Sequence, residues 1–296
     1  MIKIRDLEYL DAIEKFRHFS KAAEACHVSQ PTLSGQIMKL EEQLGVSLIE
    51  RHPGNIMLTP AGEQLLVKAR RVLSAARDLE QTAKTLGDPL AGEFHLGLIP
   101  TLAPYLLPIV MPGLVAQLPN LQFYLHEHKT VDLLRMLDQG ALDALVLPWL
   151  DDMTHFEAYD LFHEKFVLAV SRKHELADSK RVKLSYLEGH KVLTLEDGHC
   201  LRDQALGYCF SAGADEDRRF QATSLETLRY MVAANMGITL LPELAVGPHS
   251  DESDLRYIDF QAPAPERRIV LLVRQNYTRL ECVRQIVSVI RGKVKV

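Results

Sequence analysis

VSQPTLSGQIMKLEEQLG, running from Val28 to Gly45, decides the fold of the N-terminal part of the chain. Ser29 is a good N-cap, because its hydroxyl can accept from a backbone N–H of the first helical turn. Pro31 falls in that turn, where a missing N–H costs little. Leu33, Ile37, Leu40 and Leu44 recur at helical spacing and define one apolar face. Gly45 supplies the stop. Upstream, Ser20 offers a cap for a short helix over Lys21–Cys26, and Ile4, Leu7, Leu10 and Ile13 mark a helix before it. Two short helices joined by His27-Val28-Ser29, the second one longer, form a helix-turn-helix pattern. Pro31, Gly35, Met38 and Lys39 lie opposite the buried stripe, flanked by Thr32. At Gly35 no side chain would hold a DNA groove away. Arg51–Thr59, with Pro53-Gly54-Asn55 as a turn, predicts a small wing in which Arg51 can meet a phosphate. A helical protein-binding module shares the bare pattern.

Beyond the wing, Ala61–Gly87 has no internal Gly or Pro after Gly62. Leu65, Val72, Leu79 and Leu86 recur every seven residues, with Ala69, Ala76 and Ala83 in register between them. A heptad with alanine at alternate core layers permits close helix approach. It predicts a dimerisation helix in preference to one packed on its own domain. A dimer would present two recognition helices to two half-sites.

From Leu90 onward strands and helices alternate. Strands are predicted over Phe94–Ile99, Leu121–His126, Leu142–Leu147, Phe166–Ser171, Lys191–Leu195, Gly237–Leu241 and Ile269–Val273, with helices over Pro100–Gln117 and Val131–Gln139. That order predicts βαβ units and two small α/β lobes with a cleft between them. Strand-end loops such as Pro100-Thr101 would face the cleft.

The chain has 296 residues and a formal net charge of −5. Residues 1–60 hold seven Lys and Arg against eight Asp and Glu, so any positive surface must be local. Lys3, Arg5 and Asp6 interrupt an N-terminal apolar run, so no secretory signal is expected. Leu102–Leu118 contains Pro104, Pro108 and Pro112 and is short for a bilayer span. A cytoplasmic location without membrane attachment is expected. Four cysteines in a chain of this length are not a disulfide scaffold. No P-loop, dinucleotide fingerprint or C-x-x-C spacing occurs, and no cofactor or metal is expected. His126-Glu127-His128 places two histidines on one strand face, but a solvated strand end is the better reading.

Phe19–Pro60 resembles the LysR-type regulator signature. The resemblance is carried by Ala22-Ala23, Val28–Ser34, Ile37, Leu40-Glu41, Leu44-Gly45, Leu48, Arg51 and Thr59-Pro60-Ala61-Gly62. The linker helix and two-lobed domain follow in the family's order. The resemblance implies a winged helix-turn-helix over 1–60, a linker and dimerisation helix over 61–88, and a periplasmic-binding-protein-like α/β regulatory domain over 89–296. Lobe I would span about 89–163 and 268–296, and lobe II about 164–267. It implies double-stranded DNA as a partner, with contacts from Gln30, Pro31, Thr32, Ser34, Gly35, Lys39 and Arg51. It also implies a homodimer or homotetramer, RNA polymerase as a further partner, and no enzymatic role.

A more specific resemblance covers Leu195–Ala205 followed by Cys209, with Gly97–Thr101, Ala214–Asp217 and Ala222–Leu228. These segments are similar to peroxide-sensing members of the family, which activate oxidative-stress genes. The resemblance implies that hydrogen peroxide oxidises Cys200 to a sulfenic acid, which Cys209 resolves to a disulfide. A thiol reductant such as glutaredoxin or thioredoxin would reset it. Thr101 and Thr130 would hold peroxide, and His199, Asp203 and Arg268 would complete the site. The stretch Gly247–Arg256 departs from the family pattern and leaves Arg267 and Arg268 as alternatives, with Arg268 favoured. Arg202 is a further cation near the thiol, opposed by Glu196, Asp197 and Asp203. If a helix through Leu201–Gly207 joins the cysteines, their Cα atoms lie roughly 13 Å apart, so bridging must unwind it. Cys26 and Cys282 are expected to be plain core residues. Two other readings remain open: a regulator sensing a small organic metabolite in the cleft, and a thiol peroxidase.

Overall fold

The computed structural model describes residues 1–52, 55–85, 88–246 and 254–294; the side chains of residues 51, 52, 55, 78, 81, 82, 84 and 85 lie outside that description. The N-terminal unit holds α1 (Ile4–Phe16), α2 (Phe19–Ala25), α3 (Gln30–Leu44), β1 (Ile49–His52), β2 (Asn55–Leu58) and α4 (Pro60–Thr85). α3 forms as its sequence predicts. Ser29 Oγ accepts from Thr32 N–H at 3.3 Å, and Gly45 closes the helix with φ +69°. Leu33, Ile37 and Leu40 are buried. α2 begins two residues earlier than expected. His18, not Ser20, is its cap, with Nδ1 accepting from Ser20 N–H at 3.2 Å. Phe19 packs against the core and so joins the helix. The turn between α2 and α3 places His27, a non-glycine, at φ +56°.

β1 and β2 pair antiparallel from Ile49↔Leu58 to His52↔Asn55 and make the wing. Its turn residues, Pro53 and Gly54, and the Arg51 side chain lie outside the described residues. Glu41 anchors the wing to α3: its Oε1 accepts from Leu48 N–H at 2.7 Å and Ile49 N–H at 3.2 Å. α4 then starts against Leu48. A Cβ on Gly62 would sit 2.2 Å from the Leu48 carbonyl oxygen, so only glycine fits there.

The heptad on α4 divides in two. Leu66 and Ala69 are buried, and Leu65 and Leu73 pack against the same core. Arg70 Nε donates to Asp11 on α1 at 2.5 Å. The first turns therefore pack on their own domain. Further along, Val72 is 49% and Leu79 73% exposed, Ala76 is half-buried and Ala83 is exposed. Leu86 lies outside the described residues.

The second unit is α/β. It contains β3 (Gly92–Leu98), α5 (Ala103–Gln117), β4 (Leu121–Glu127), α6 (Thr130–Asp138), β5 (Ala144–Pro148), β6 (Phe156–Ser171) and β7 (Arg181–Val182). There follow β8 (Lys191–Leu195), α7 (Cys200–Ser211), β9 (Asp215–Ala222), α8 (Leu225–Ala233) and β10 (Thr239–Pro242). The last elements are α9 (Glu243–Val246), β11 (Leu255–Phe260), β12 (Glu266–Arg274) and α10 (Leu280–Lys293). In the first lobe β4, β3 and β5 run parallel, and β12 pairs antiparallel with β5 and with the first half of β6. In the second lobe the other half of β6 pairs with β10 and β11, and β8 pairs with β9. β6 is thus one continuous strand through both lobes. The pairing changes hands between Lys165 and Phe166, where Phe166 N–H donates to the Pro265 carbonyl at 2.8 Å. Each lobe has its own apolar core. β9 reads DEDRRFQA and shows no apolar alternation, which is why the pattern does not predict it. Among the described residues no helix is long and apolar enough to cross a membrane.

Candidate functional site

Strand and helix ends build the site around Cys200. Cys200 is the first residue of α7, with His199 as the N-cap residue. Thr101 follows β3 by three positions, and Thr130 opens α6. Arg267 is the second residue of β12. All are buried, with Cys200 6%, Thr101 2%, Thr130 6%, His199 5% and Arg267 2% exposed. Arg267 Nη2 donates to the Thr101 carbonyl at 3.4 Å. The hydroxyls of Thr101 and Thr130 and Arg267 Nη1 are buried without a nitrogen or oxygen hydrogen-bond partner, and His199 Nε2, also without a hydrogen bond, lies 3.9 Å from Glu196 Oε1. Buried polar atoms are almost always satisfied, so this group fits a small polar ligand with both donors and acceptors.

The two thiols differ in their surroundings. Burial pushes the Cys200 thiol up, but the Thr130 hydroxyl, the Arg267 charge and the Leu201 N–H all favour its ionised form; Asp203 opposes them. Cys209 is fully buried among apolar side chains, and burial alone pushes it up to about 12. Of these two, Cys200 alone has groups that stabilise a thiolate, which is the reactive form. Both cysteines lie on α7, which extends further at each end than Leu201–Gly207. Both are free thiols. Their nine-residue separation on a helix corresponds to roughly 13 Å.

Several expected neighbours are placed differently. Arg268 does not face the thiol. Its Nε donates to Asp160 at 2.6 Å on the surface, and its guanidinium lies 5.3 Å from the Trp149 ring centroid. Successive strand residues point to opposite faces, so turning Arg267 inward turns Arg268 outward. Arg202 is also turned away, donating from Nε and Nη2 to Glu216 at 3.0 and 2.9 Å. Asp203 is exposed and lies 3.3 Å from Arg202, so it acts on the thiol only through space. His199 is held below its ordinary pKa by burial first and by Lys129 second, with Glu196 opposing, which favours the neutral imidazole over the cation. Lys129 itself donates to Glu196 at 2.5 Å and to the Asp197 carbonyl at 3.1 Å, joining the first lobe to the loop before α7. The sequence pattern misses Lys129 and Glu164, which carry no motif. Ile269–Val273 is buried on both faces, so alternation along that run does not choose between Arg267 and Arg268.

The expected DNA face is on the N-terminal unit. Gln30, Pro31, Thr32 and Lys39 are exposed, and Ser34 and Gly35 are half-buried. A Cβ at Gly35 would meet nothing within 4 Å. Elsewhere, His126 Nε2 lies 3.0 Å from His95 Nδ1 on the neighbouring strand. Among the described residues no group of three potential ligands could hold a metal. Cys282 is buried, and Cys26 is half-buried.

A helix-turn-helix joined to a two-lobed α/β domain defines a class of bacterial regulator, and sequence comparison agrees. Residues 4–63 match the bacterial regulatory helix-turn-helix protein, lysR family, and residues 87–295 match the LysR substrate binding domain. The chain belongs to the LysR family of regulators. Within it, the chain is 50% identical over 273 residues to the hydrogen peroxide-inducible genes activator of Dickeya chrysanthemi, covering 92% of this chain and 90% of that one. It is 48% identical over 293 residues to the DNA-binding transcriptional dual regulator OxyR of Escherichia coli K12, covering 99% and 96%. A full-length OxyR variant from Pseudomonas aeruginosa matches the structure with a TM-score of 0.80 at 32% identity, covering 99% of each chain.

Proposed function

We propose that this chain is a DNA-binding transcription regulator switched by hydrogen peroxide at Cys200. The observation that carries the reading is the asymmetry between the thiols. Cys200 faces Thr130 and Arg267 beside unpartnered polar atoms, whereas Cys209 has only apolar neighbours. Peroxide is small and both donates and accepts hydrogen bonds, which suits the Thr101 and Thr130 hydroxyls.

The Cys200 thiolate attacks one peroxide oxygen. The S–O bond forms, the O–O bond breaks, and the leaving hydroxide takes a proton to become water. Cys200 is then a sulfenic acid. The Cys209 thiolate attacks the Cys200 sulfur, the S–O bond breaks, and the displaced hydroxide leaves as a second water once protonated. Two thiols and one peroxide give one disulfide and two waters. A disulfide needs Cα atoms about 4.4–6.8 Å apart, so α7 cannot survive the bond. Unwinding it pulls Tyr208, whose hydroxyl donates to the Glu266 carbonyl at 2.8 Å, away from the lobe crossover.

DNA is met by Gln30, Pro31, Thr32, Ser34, Gly35 and Lys39, with Arg51 from the wing. Chains pair through the exposed part of α4, as a dimer and then a tetramer. RNA polymerase is the downstream partner, a thiol reductant resets the disulfide, and the protein works in the cytoplasm as a regulator and not as an enzyme. Mass spectrometry of the intact chain before and after one equivalent of peroxide tests the reading. The expected change is loss of two hydrogens, mapped to a Cys200–Cys209 bond. An unchanged mass, or a bond elsewhere, overturns it.

A further inference from the structure

We propose that Glu164 is a positioning residue for the oxidation of Cys200: its carboxylate fixes the Arg267 guanidinium so that one nitrogen is left for the reacting oxygen. The inference rests on the peroxide reading above. Glu164 lies on β6, next to the point where that strand passes between lobes, and is 0% exposed. Both of its oxygens are engaged. Oε2 accepts from Arg267 Nε at 2.7 Å, and Oε1 accepts from the backbone N–H of Leu244, on α9, at 3.0 Å.

The consequence for Arg267 is geometric. Its Nε is held by Glu164 and its Nη2 by the Thr101 carbonyl. A guanidinium is planar, so fixing two of its nitrogens fixes the direction of the third. That third nitrogen, Nη1, is buried and has no protein partner. Its charge favours the ionised Cys200 thiol. Backbone contacts on both sides give the pair a rigid frame. α9 holds the carboxylate, and the loop after β3 holds the guanidinium through Thr101.

Glu164 also has an opposing electrostatic effect. Its negative charge offsets part of the Arg267 field at the thiol. If charge alone mattered, neutralising Glu164 would make Cys200 more acidic and faster. If position matters, the same change makes it slower. The sign of the rate change therefore separates the two roles.

The test uses the full chain and measures the second-order rate of Cys200 oxidation by hydrogen peroxide across a pH series. Glu164→Gln keeps the shape but has one acceptor oxygen for two donors. It should slow oxidation about tenfold at every pH, because misplacement of a reacting group by about 1 Å can cost up to 100-fold. In a cycle with Arg267→Gln, the double variant should react no slower than Arg267→Gln alone, within about twofold. Glu164→Asp, which keeps the charge, should recover part of the loss. Should Glu164→Gln melt before the assay temperature, Glu164→Asp carries the test, and wild-type speed in it overturns the proposal. A Glu164→Gln variant as fast as wild type or faster, or losses that multiply in the double variant, also overturns it. A wild-type chain whose Cys200 ignores peroxide overturns the underlying reading instead.

Discussion

Cys200 and Cys209 share one helix but sit in different cores, Cys200 packing with the first lobe and Cys209 with the second. Closing a bond between them removes a side chain from at least one core and unwinds the helix that spans them. The roles are also unequal, because only Cys200 has thiolate-stabilising neighbours. Cys200→Ser should abolish the peroxide response and leave DNA binding intact. Cys209→Ser should stop one step later, with one added oxygen on Cys200 that a sulfenic-acid trap captures. Mass spectrometry distinguishes the two, and a disulfide in either variant would sink the assignment.

The arginines give a second contrast. Arg268 pairs with Asp160 at the surface, where an ion pair is worth roughly 0–1 kcal/mol. Arg268→Ala should change the oxidation rate less than about twofold and barely move the melting temperature. Arg267→Ala should lose the reaction and also unfold more easily. It leaves the Glu164 carboxylate buried without its partner, a loss on the order of 3–5 kcal/mol.

Much of this was legible in the sequence where local chemistry decides structure. Ser29, Leu33, Ile37 and Gly45 each perform in α3 the job their residue type predicts, because a cap, an apolar stripe and a left-handed stop act over one or two turns. The choice between Arg267 and Arg268 was not legible in the same way. It depends on the register of β12 against β6, with Arg267 opposite Glu164 and Arg268 opposite His163. That pairing joins residues about a hundred positions apart. The same holds for the lowered pKa of His199, which follows from burial and from Lys129 on another lobe. The α4 heptad shows a further limit. Its period is real, but one register serves two ends, its own domain at Ala69 and an open face at Leu79.

Alkaline pH should weaken the reduced fold through Cys209. Burial raises its thiol from 9.0 to about 12, so between those values the unfolded chain ionises while the folded chain does not. Stability from this group is therefore complete below pH 9.0 and declines as pH rises toward 12. Thermal melts of the reduced chain between pH 8 and about 10.5 should show a steeper fall for wild type than for Cys209→Ala. Parallel curves would contradict the buried, neutral thiol.

Gly35 separates folding from DNA binding. A Cβ there meets nothing within 4 Å, and glycine inside a helix costs roughly 0.5–1 kcal/mol relative to alanine. Gly35→Ala should raise the melting temperature slightly. Gly35→Glu should fold normally but lose DNA affinity, from bulk and charge on the face that carries Thr32 and Lys39. Normal operator binding by Gly35→Glu in a mobility-shift assay would remove this helix from the interface.

The linker helix can be tested at its two ends. Leu79 is 73% exposed and Leu66 3%, although both are leucines on the same helix. Leu66→Ala should destabilise the protomer by roughly 2–5 kcal/mol, as a buried leucine loses its contacts and leaves a cavity. Leu79→Asp should leave the protomer's fold intact, because nothing in its own chain is lost, yet disrupt pairing between chains. Sedimentation would then show a smaller species with unchanged circular dichroism, and binding to a two-half-site operator would weaken accordingly. Should Leu79→Asp sediment like the wild type, the exposed stripe is not the pairing surface, and the heptad serves only the contact of Leu65 and Ala69 with their own domain.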